Sequence, residues 1–379
     1  MNQTLNIFWT RSIFTATTAA VLLAGCSQKA TQTKDSWAMA PFHRPTNPKP
    51  IISPNASSTF LDPMSGKTIN WEANDTFNPA AAVKGDSIYV LYRAEDKSGV
   101  GIGERTSRLG LAASADGLLM KTWPQPVFYP AEDNQKQYEW PGGCEDPRVA
   151  VTEDGTYVML YTQWNKKVPR LAAATSRDLV EWEKHGSVFR TAHQGKFFNI
   201  PSKSASIVTK LKNGKQVIAK VNGKYLMYWG EKFINLATSD DLVNWTPELD
   251  EKGELLAIVS PREGFFDSQL TECGPPAVLT KDGIVVLYNG KNEPGEKGDK
   301  RYTANTYAAG QILFDTKDPR KVVKRLNEPF FVPQESYEKS GQYPAGTVFV
   351  EGLVYFKDRW FLYYGCADSR VGVAIYQPK

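Results

Sequence analysis

The sequence predicts an all-β protein, a five-bladed β-propeller, on the basis of three observations. Five strand-like segments end in Leu or Met followed by Tyr: Val90-Leu91-Tyr92, Met159-Leu160-Tyr161, Leu226-Met227-Tyr228, Val286-Leu287-Tyr288 and Phe361-Leu362-Tyr363. These endings recur at intervals of 60 to 75 residues, which suits β-sheet blades with long loops. The segments are rich in Val, Ile and Tyr, are bounded by Gly, Asp and Asn, and show no long helical period. A β-sandwich with insertions is the alternative architecture.

A second repeated sequence motif supports three strands in each repeat. The segments Leu111-Ala112-Ala113-Ser114, Ala173-Ala174-Thr175-Ser176 and Leu236-Ala237-Thr238-Ser239 follow the first three tyrosine endings. Each repeat then begins with a hairpin, and the start of its first strand lies beside the end of its second. This geometry predicts five neighbouring pairs: Asn78 with Arg93, Asp146 with Gln163, Lys203 with Glu231, Glu272 with Asn289, and Gly346 with Asp368. If the first strands line one axis, these polar residues converge at one mouth.

The N-terminus has the features of an export signal. Arg11 precedes an apolar stretch, residues 13–24, that is too short to span a membrane. The stretch ends in Leu23-Ala24-Gly25-Cys26, which resembles a bacterial lipobox. We therefore expect a signal peptide at 1–25, lipidation of Cys26, a flexible tether at 26–55 and the propeller at 56–379. The protein would be exported and lipid-anchored to a bacterial outer membrane, on its periplasmic or cell-surface face; an ordinary cleaved signal peptide is the alternative.

Composition argues against several classes of protein. The net charge is only +4 and no Lys/Arg run occurs, so nucleic acid is not an expected partner. Three cysteines remain after Cys26, an odd number that does not indicate a disulfide framework. The three histidines have no metal-ligand spacing with each other or with the cysteines. We expect neither a metal nor a cofactor.

The polar residues expected at the mouth suit a sugar ligand. Carboxylates, Arg, Lys and Asn can pair with hydroxyl groups, and the chain offers aromatic side chains for the sugar faces. Cleavage of a glycoside needs an acid for the leaving oxygen and, with inversion, a base for water. A phosphorylase would instead need a cationic cradle for phosphate.

Several motifs, in this order, resemble glycoside hydrolase family 130, the mannoside phosphorylases and β-mannosidases. They are Phe77-Asn78-Pro79-Ala80, Leu91-Tyr92-Arg93-Ala94-Glu95-Asp96, Cys144-Glu145-Asp146-Pro147-Arg148, Asn222-Gly223-Lys224-Tyr225, Gly274-Pro275-Pro276, Leu287-Tyr288-Asn289-Gly290 and Tyr364-Gly365-Cys366-Ala367-Asp368. The resemblance implies a five-bladed propeller and inversion at a β-mannoside.

The resemblance also implies residue roles. Asp146 matches the proton donor, which in the phosphorylases acts through a sugar hydroxyl. Glu231 and Glu272 match the glutamate pair around the nucleophilic water in the hydrolytic branch, which removes β-1,2-linked mannose. Positions that line the sugar site in the family correspond to a further set of residues here: Asn78, Arg93, Arg148, Lys203, Asn289 and Asp368.

Two departures from the phosphorylase pattern favour hydrolysis. Asn289 stands where phosphorylases typically carry a His, and Met227-Tyr228-Trp229-Gly230-Glu231 stands where they carry a His-Arg pair. The expected function is therefore an inverting, exo-acting glycosidase that releases mannose from β-mannosides. A phosphorylase that forms mannose 1-phosphate, with Arg170 and Arg262 supplying positive charge, is one alternative. A non-catalytic carbohydrate-binding propeller lipoprotein is another.

Overall fold

The computed structural model describes residues 36–378, and this part of the chain is all-β. It contains one α-helix of a single turn, α1 (Lys136–Glu139), and three 3-10 turns at Ala192–Gly195, Gly295–Lys297 and Ser336–Glu338. The prediction of an all-β protein is confirmed. Within residues 36–378, no helix has the length and apolar character needed to cross a membrane. The predicted signal peptide, Cys26 and the tether up to residue 35 lie outside the described residues.

The strands follow one another in chain order, starting with a small hairpin of β1 (Phe60–Asp62) and β2 (Lys67–Ile69). Five antiparallel runs come next. The first contains β3 (Asp75–Lys84), β4 (Ser87–Glu95), β5 (Ser107–Ser114) and β6 (Lys121–Thr122). The second contains β7 (Gly143–Val151), β8 (Tyr157–Trp164), β9 (Pro169–Ser176) and β10 (Glu183–Ser187).

The third run contains β11 (Ala205–Lys212), β12 (Lys215–Ile218), β13 (Lys220–Val221), β14 (Lys224–Trp229), β15 (Asn235–Ser239) and β16 (Thr246–Pro247). The fourth contains β17 (Leu270–Cys273), β18 (Ala277–Leu279), β19 (Ile284–Lys291), β20 (Tyr307–Phe314) and β21 (Val322–Arg325). The fifth contains β22 (Val348–Phe356), β23 (Arg359–Cys366) and β24 (Arg370–Tyr376). Parallel pairings join the first run to the second and the third run to the fourth.

The repeated tyrosines lie on the middle strands β4, β8, β14, β19 and β23, and all are fully buried. Three tyrosine rings pass directly over a glycine of the next strand, in the register pairs Tyr92–Gly110, Tyr288–Gly310 and Tyr364–Gly372. A Cβ atom at any of these glycines would lie within 2.6 Å of the ring, closer than packed atoms approach. At Tyr92 and Tyr288 of the repeat, and at Tyr364, which follows the repeated Tyr363, a large ring thus fills the space left by an absent side chain.

The first strand of the fourth run is broken into β17 and β18 by Gly274-Pro275-Pro276. Prolines have no N–H group and cannot donate to a strand ladder, so the pairing stops and restarts there. The break leaves Glu272 at the end of β17, in register with Asn289 on β19. This pair is one that the hairpin geometry predicted.

Residues 37–52 differ from the predicted flexible tether. Trp37, Met39 and Phe42 are buried in an apolar core shared by the fourth and fifth runs. The backbone of Met39 exchanges two hydrogen bonds with the Gln311 side chain, at 2.9 and 2.8 Å. The Arg44 guanidinium contacts the buried Glu338 carboxylate at 2.7 Å. The apolar side chains of this segment bury enough surface to order it, despite its polar composition.

Candidate active site

Two bulges bring the polar residues of the first two runs together. The ladder between β3 and β4 slips at Asn78, and the ladder between β7 and β8 slips at Asp146. Both residues have positive φ, 45° and 48°, a conformation that Asn and Asp tolerate better than most residues. Each stands before a proline, Pro79 or Pro147. The extra residue in each strand turns the side chain out of the normal alternation, and the two side chains meet.

The Asp146 carboxylate is almost completely buried, with 3% of the residue exposed. Its Oδ1 accepts hydrogen bonds from Asn78 Nδ2 and Arg93 Nη1, both at 2.9 Å. The predicted pairing of Asn78 with the Arg93 end of β4 is also confirmed, since Phe77 and Arg93 are register partners. Asp146, Asn78 and Arg93 therefore form one hydrogen-bonded unit at the entrance of the first two runs.

Glu145 belongs to the same unit, although sequence reasoning assigned it no role. Its Oε1 accepts from Arg93 Nη2 at 2.8 Å, and Glu95 accepts from the same nitrogen at 2.6 Å. Arg93 thus donates hydrogen bonds to three carboxylates. Its guanidinium also lies 4.7 Å from the centre of the Phe77 ring. A buried arginine with several carboxylates can hold them close without full mutual repulsion.

The adjacent carboxyl groups of Glu145 and Asp146 favour opposite protonation states. Burial disfavours the charge on Asp146, but Arg93, Lys203 and Arg148 outweigh it and hold the Asp146 pKa below its ordinary range. Burial, with repulsion from Asp146, raises the pKa of Glu145 to about 7 although Arg93 opposes it. A proton held by this pair near neutral pH therefore rests on Glu145 in the unliganded site. An acid role for Asp146 needs the proton to move when the sugar binds.

A second set of carboxylates comes from the third and fourth runs. Glu272 on β17 is 2% exposed and accepts a short hydrogen bond from Ser204 Oγ. Glu231 follows β14 and is half-exposed. Lys203 Nζ lies between them, 3.4 Å from Glu231 Oε1 and 4.0 Å from Glu272 Oε1, which confirms the predicted pairing of Lys203 with Glu231.

Backbone hydrogen bonds through Gly230 hold the three loops that carry these residues. Gly230 N donates to Ser204 O at 2.9 Å, and Cys273 N donates to Gly230 O at 3.1 Å. Gly230 has φ of 127°, and a Cβ there would lie 2.1 Å from the Phe233 carbonyl oxygen. A side chain at this position would therefore separate the loops.

The site places Glu272 in a state suited to a general base near neutral pH. Burial raises the pKa of Glu272 to about 7, with Glu231 adding to the rise and Lys203 opposing it. The base Glu272 must be deprotonated while the Glu145–Asp146 pair, in which the Glu145 pKa is also about 7, must keep its proton, so activity should rise towards a maximum near pH 7 and fall above it. We expect the ascending limb of the kcat/KM profile near that pH. A limb centred at the ordinary glutamate pKa, near 4.3, would contradict this electrostatic description.

The same shift has a consequence for stability, which should fall as the pH rises. Burial also raises the pKa of Asp368 to about 7, so Glu145, Glu272 and Asp368 keep their protons longer in the folded chain than in the unfolded chain. Their stabilising contribution is complete below their unfolded pKa values and is lost as the pH rises towards about 7. Thermal unfolding should therefore occur at a lower temperature at pH 8 than at pH 5. The opposite order would contradict the raised pKa values.

Arg148 connects the backbone segments that carry the two sets of carboxylates. Its Nη1 donates to the backbone oxygen of Asp146 at 3.0 Å, and its Nη2 donates to the backbone oxygen of Cys273, next to Glu272, at 3.0 Å. Nη1 also contacts Glu351 at 2.8 Å. Arg148 is 2% exposed and every one of its nitrogens faces a protein oxygen. The structure therefore supports a role for Arg148 in orienting Asp146, in place of the predicted role in lining the sugar site.

Asn289 differs from its predicted role in substrate binding. Its side chain is fully buried. Nδ2 donates to Val350 O at 3.1 Å, and Oδ1 accepts from Val350 N at 2.7 Å. The amide is used by the bulge of β22, between Val350 and Gly352, and is not free for a ligand.

Asp368 lies in the turn between β23 and β24 with φ of 49°, and it is partly exposed. Arg93, Asp146, Glu95 and Lys203 all act on its charge, so it borders the same site. The Thr347–Ala367 backbone hydrogen bond, 3.2 Å, places it near the start of β22, as the hairpin geometry predicted. The predicted pairing of Asp146 with Gln163 holds within two residues, because Gln163 is the register partner of Cys144.

The two arginines considered for a phosphate site are committed elsewhere. Arg262 binds Asp267 at 2.9 Å and the Leu326 carbonyl at 2.8 Å. Arg170 donates to Asn199 at 2.7 Å and lies over aromatic rings. Within residues 36–378, neither forms an ion pair with Asp146, Glu231 or Glu272.

Four neighbours of the site were missed by sequence reasoning: Glu95, Glu145, Ser204 and Glu351. Glu351 carried a usable signal, because it is the lone carboxylate within the otherwise apolar strand β22, Val348–Phe356. It is fully buried, and a charge in such a strand needs a partner, which Arg148 provides. Ser204 carried no comparable signal.

Comparison with known proteins identifies the family of the chain. A family model for glycoside hydrolase family 130, described as β-1,4-mannooligosaccharide phosphorylase, matches residues 51–378. The chain belongs to glycoside hydrolase family 130. This confirms the resemblance stated from the motifs, and members of the family act on mannosides as phosphorylases or hydrolases.

Relatives in the family carry both kinds of name. The 1,2-β-oligomannan phosphorylase of Thermoanaerobacter sp. (strain X514) is 32% identical over 338 residues, which cover 87% of this chain and 96% of that protein. A solved structure is 61% identical with a TM-score of 0.90, covering 92% of this chain and 96% of that one; it is described as showing glycoside hydrolases that target β-1,2 mannosidic linkages in Candida mannan. A glycosyl hydrolase from Bacteroides ovatus is also 61% identical, with a TM-score of 0.90 and coverage of 92% and 97%.

Proposed function

We propose that this family 130 protein is an inverting, exo-acting β-mannosidase that releases mannose by hydrolysis, with β-1,2-linked mannosides as its substrates. Asp146 is the proton donor, and Glu231 with Glu272 activates the water. Asn78, Lys203 and Asp368 contact the sugar, and Arg148 holds the Asp146 backbone. Arg93, predicted to bind sugar, instead holds carboxylates, because all of its nitrogens donate to Ser107, Asp146, Glu95 and Glu145. The β-1,2 linkage is supported by the names of the relatives, and the spacing of the residues does not decide it.

The observation that carries this proposal is the pair Glu231 and Glu272 on either side of one lysine. Lys203 Nζ lies within 4.0 Å of both, so its single charge is shared by two carboxylates. A phosphate at this position would be repelled by the remaining negative charge, whereas a water molecule can give its proton to Glu272. Arg170 and Arg262, which could have supplied positive charge, are bound elsewhere.

The reaction follows from these positions. Glu272 takes a proton from water as the water oxygen attacks the anomeric carbon of mannose. The bond from that carbon to the glycosidic oxygen breaks, and the oxygen receives the proton delivered by Asp146, through a sugar hydroxyl as in the phosphorylases. Attack from the face opposite the leaving group turns a β-mannoside into α-mannose. Solvent then returns a proton to the Glu145–Asp146 pair and removes one from Glu272.

Proton NMR during hydrolysis of β-1,2-mannobiose tests this scheme. The released sugar should appear first as α-mannose and then equilibrate with the β anomer. Early β-mannose would mean retention of configuration and would overturn the inverting mechanism. Release of intact disaccharides from a longer oligosaccharide would overturn the exo action.

The five antiparallel runs also support our proposal that they are the five blades of a propeller, with β3, β7, β11, β17–β18 and β22 nearest the axis. Side chains of β7 reach three of the other strands: Asp146 contacts Asn78 on β3, and Arg148 contacts Cys273 on β17 and Glu351 on β22. A crystal structure tests the count directly, and a sandwich of two packed sheets would overturn it.

We further propose that the protein is exported and anchored to a bacterial outer membrane by a lipid on Cys26, after removal of residues 1–25. The proposal is supported by the motif Leu23-Ala24-Gly25-Cys26. In a bacterial host, Cys26→Ser should move the protein from the membrane fraction to the soluble fraction and remove labelling by a fatty-acid analogue. Unchanged fractionation and labelling would overturn the anchor.

A further inference from the structure

A lysine and two tyrosines form a cluster at the edge of the candidate site. Lys291 ends β19 and is the register partner of Tyr307, the first residue of β20. Tyr343 lies in the loop before β22, where its N–H donates to Ala367 O at 3.2 Å. Lys291 Nζ is 5.2 Å from the Tyr307 ring centre and 5.6 Å from the Tyr343 ring centre. The two rings meet edge to face with centres 5.7 Å apart.

The three polar groups of this cluster have no hydrogen-bonding partner on the chain. Across residues 36–378, neither the Lys291 ammonium nor the hydroxyls of Tyr307 and Tyr343 form a hydrogen bond or an ion pair. Tyr307 is 8% exposed, and the other two are half-buried. Buried or half-buried donors usually find partners, because leaving them unpaired costs free energy. Three unpaired donors side by side therefore point to a ligand rich in acceptors.

The cluster faces the carboxylates of the site already described. The charges of Glu231, Asp368 and Glu272 all act on Lys291. The same three carboxylates, with Lys203, act on Tyr343. Lys291 also lies two residues after Asn289, the register partner of Glu272, and Tyr343 is bonded to Ala367, next to Asp368, so the cluster borders the candidate site.

The cluster is more exposed to solvent than the hydrogen-bonded unit around Asp146. Asp146 and Asn78 are 3% and 5% exposed, whereas Lys291 and Tyr343 are half-buried and lie nearer to solvent. An exo-acting enzyme holds the terminal sugar at the closed end and lets the rest of the oligosaccharide extend towards solvent. The sugar beyond the cleaved bond would then meet the cluster.

We propose that Lys291, Tyr307 and Tyr343 form the subsite for the leaving sugar of the mannoside. The ammonium and the hydroxyls donate to the hydroxyl oxygens of that sugar, and the tyrosine rings pack against its apolar face. This inference rests on the proposed action on β-mannosides and holds for hydrolysis and for phosphorolysis alike.

The variant Lys291→Ala separates this subsite from the reacting centre. We expect kcat/KM for β-1,2-mannobiose to fall roughly tenfold, as for the loss of a charged hydrogen bond. For 4-nitrophenyl β-mannoside, whose aryl group offers no hydroxyl, the change should stay below about threefold. The matched control is Lys220→Ala, because Lys220 also lies over a tyrosine ring, at 4.8 Å from Tyr225, but is exposed on β13. It should leave both substrates unaffected. An equal loss on both substrates, or no loss on either, would overturn the subsite.

A binding measurement makes the test independent of turnover. On an Asp146→Asn background, calorimetry should show weaker binding of β-1,2-mannobiose when Lys291→Ala is added, with binding of mannose unchanged. Unchanged binding of mannobiose would overturn the subsite alone. If the Asp146→Asn chain and the wild-type chain bind no mannoside and the latter cleaves none, the proposed function fails, and this inference fails with it.

Discussion

The Asp146→Asn variant is expected to lose about 10³-fold in kcat on β-mannosides, the usual range for loss of a general acid. Asparagine can still accept hydrogen bonds from Asn78 Nδ2 and Arg93 Nη1 through its amide oxygen, so the unit around it should stay in place. What is lost is the proton that the leaving oxygen needs. A substrate with a good leaving group, such as 4-nitrophenyl β-mannoside, needs that proton less and should be affected much less than mannobiose.

A matched control separates chemistry from folding. Asp62 is also 3% exposed and accepts from an arginine, Arg108 Nη2, at 2.8 Å, but it lies on β1 away from the site. Asp62→Asn should lower the unfolding temperature and leave kcat unchanged. If Asp146→Asn behaves like Asp62→Asn, or loses mannobiose and aryl mannoside activity equally, Asp146 is not the proton donor.

The Glu272→Gln variant is expected to show the second large effect, a loss of about 10² to 10³-fold in kcat. Glutamine keeps the size of the side chain and can accept from Ser204, but it cannot take a proton from water. The ascending limb of the pH profile near pH 7 should disappear from the residual activity, because the group that titrates there is gone. The change in KM should be small, since the reacting water and not the sugar is the partner of Glu272.

Glu338→Gln is the corresponding control, because Glu338 is fully buried beside Arg44 at 2.7 Å. It should reduce stability without altering the pH profile. A Glu272→Gln enzyme that keeps the limb near pH 7, or that keeps more than a tenth of the wild-type kcat, would exclude Glu272 as the base.

Local rules predicted much of this architecture from the sequence. The tyrosine endings gave the middle strands, since each tyrosine is a packing residue with a fixed place in its strand. The register of Glu272 with Asn289 and the contact of Lys203 with Glu231 followed from hairpin geometry, which depends only on neighbouring strands. The family motifs brought Asp146 and Asn78 into the candidate site.

Contacts between distant segments could not be predicted in this way. Asn289 has the sequence position of a binding residue, but its amide is taken by Val350, 61 positions away, and no local pattern shows that pairing. Glu145 is next to Asp146 in the sequence, but its contact with Arg93, 52 positions away, could not be predicted, because the bulge on β7 removes the alternation that would turn the two carboxylates apart. Residues 37–52 fall within the tether predicted at 26–55, because their polar composition hides the few apolar side chains that pack against the fourth and fifth runs.

The measurement that tests the central claim most directly is product analysis with β-1,2-mannobiose in the presence and absence of inorganic phosphate. The water-activating role of Glu231 and Glu272 predicts mannose as the only product, released at the same rate in both conditions. Mannose 1-phosphate formed only when phosphate is present would contradict it, and would mean that Lys203 serves phosphate in spite of the two glutamates beside it.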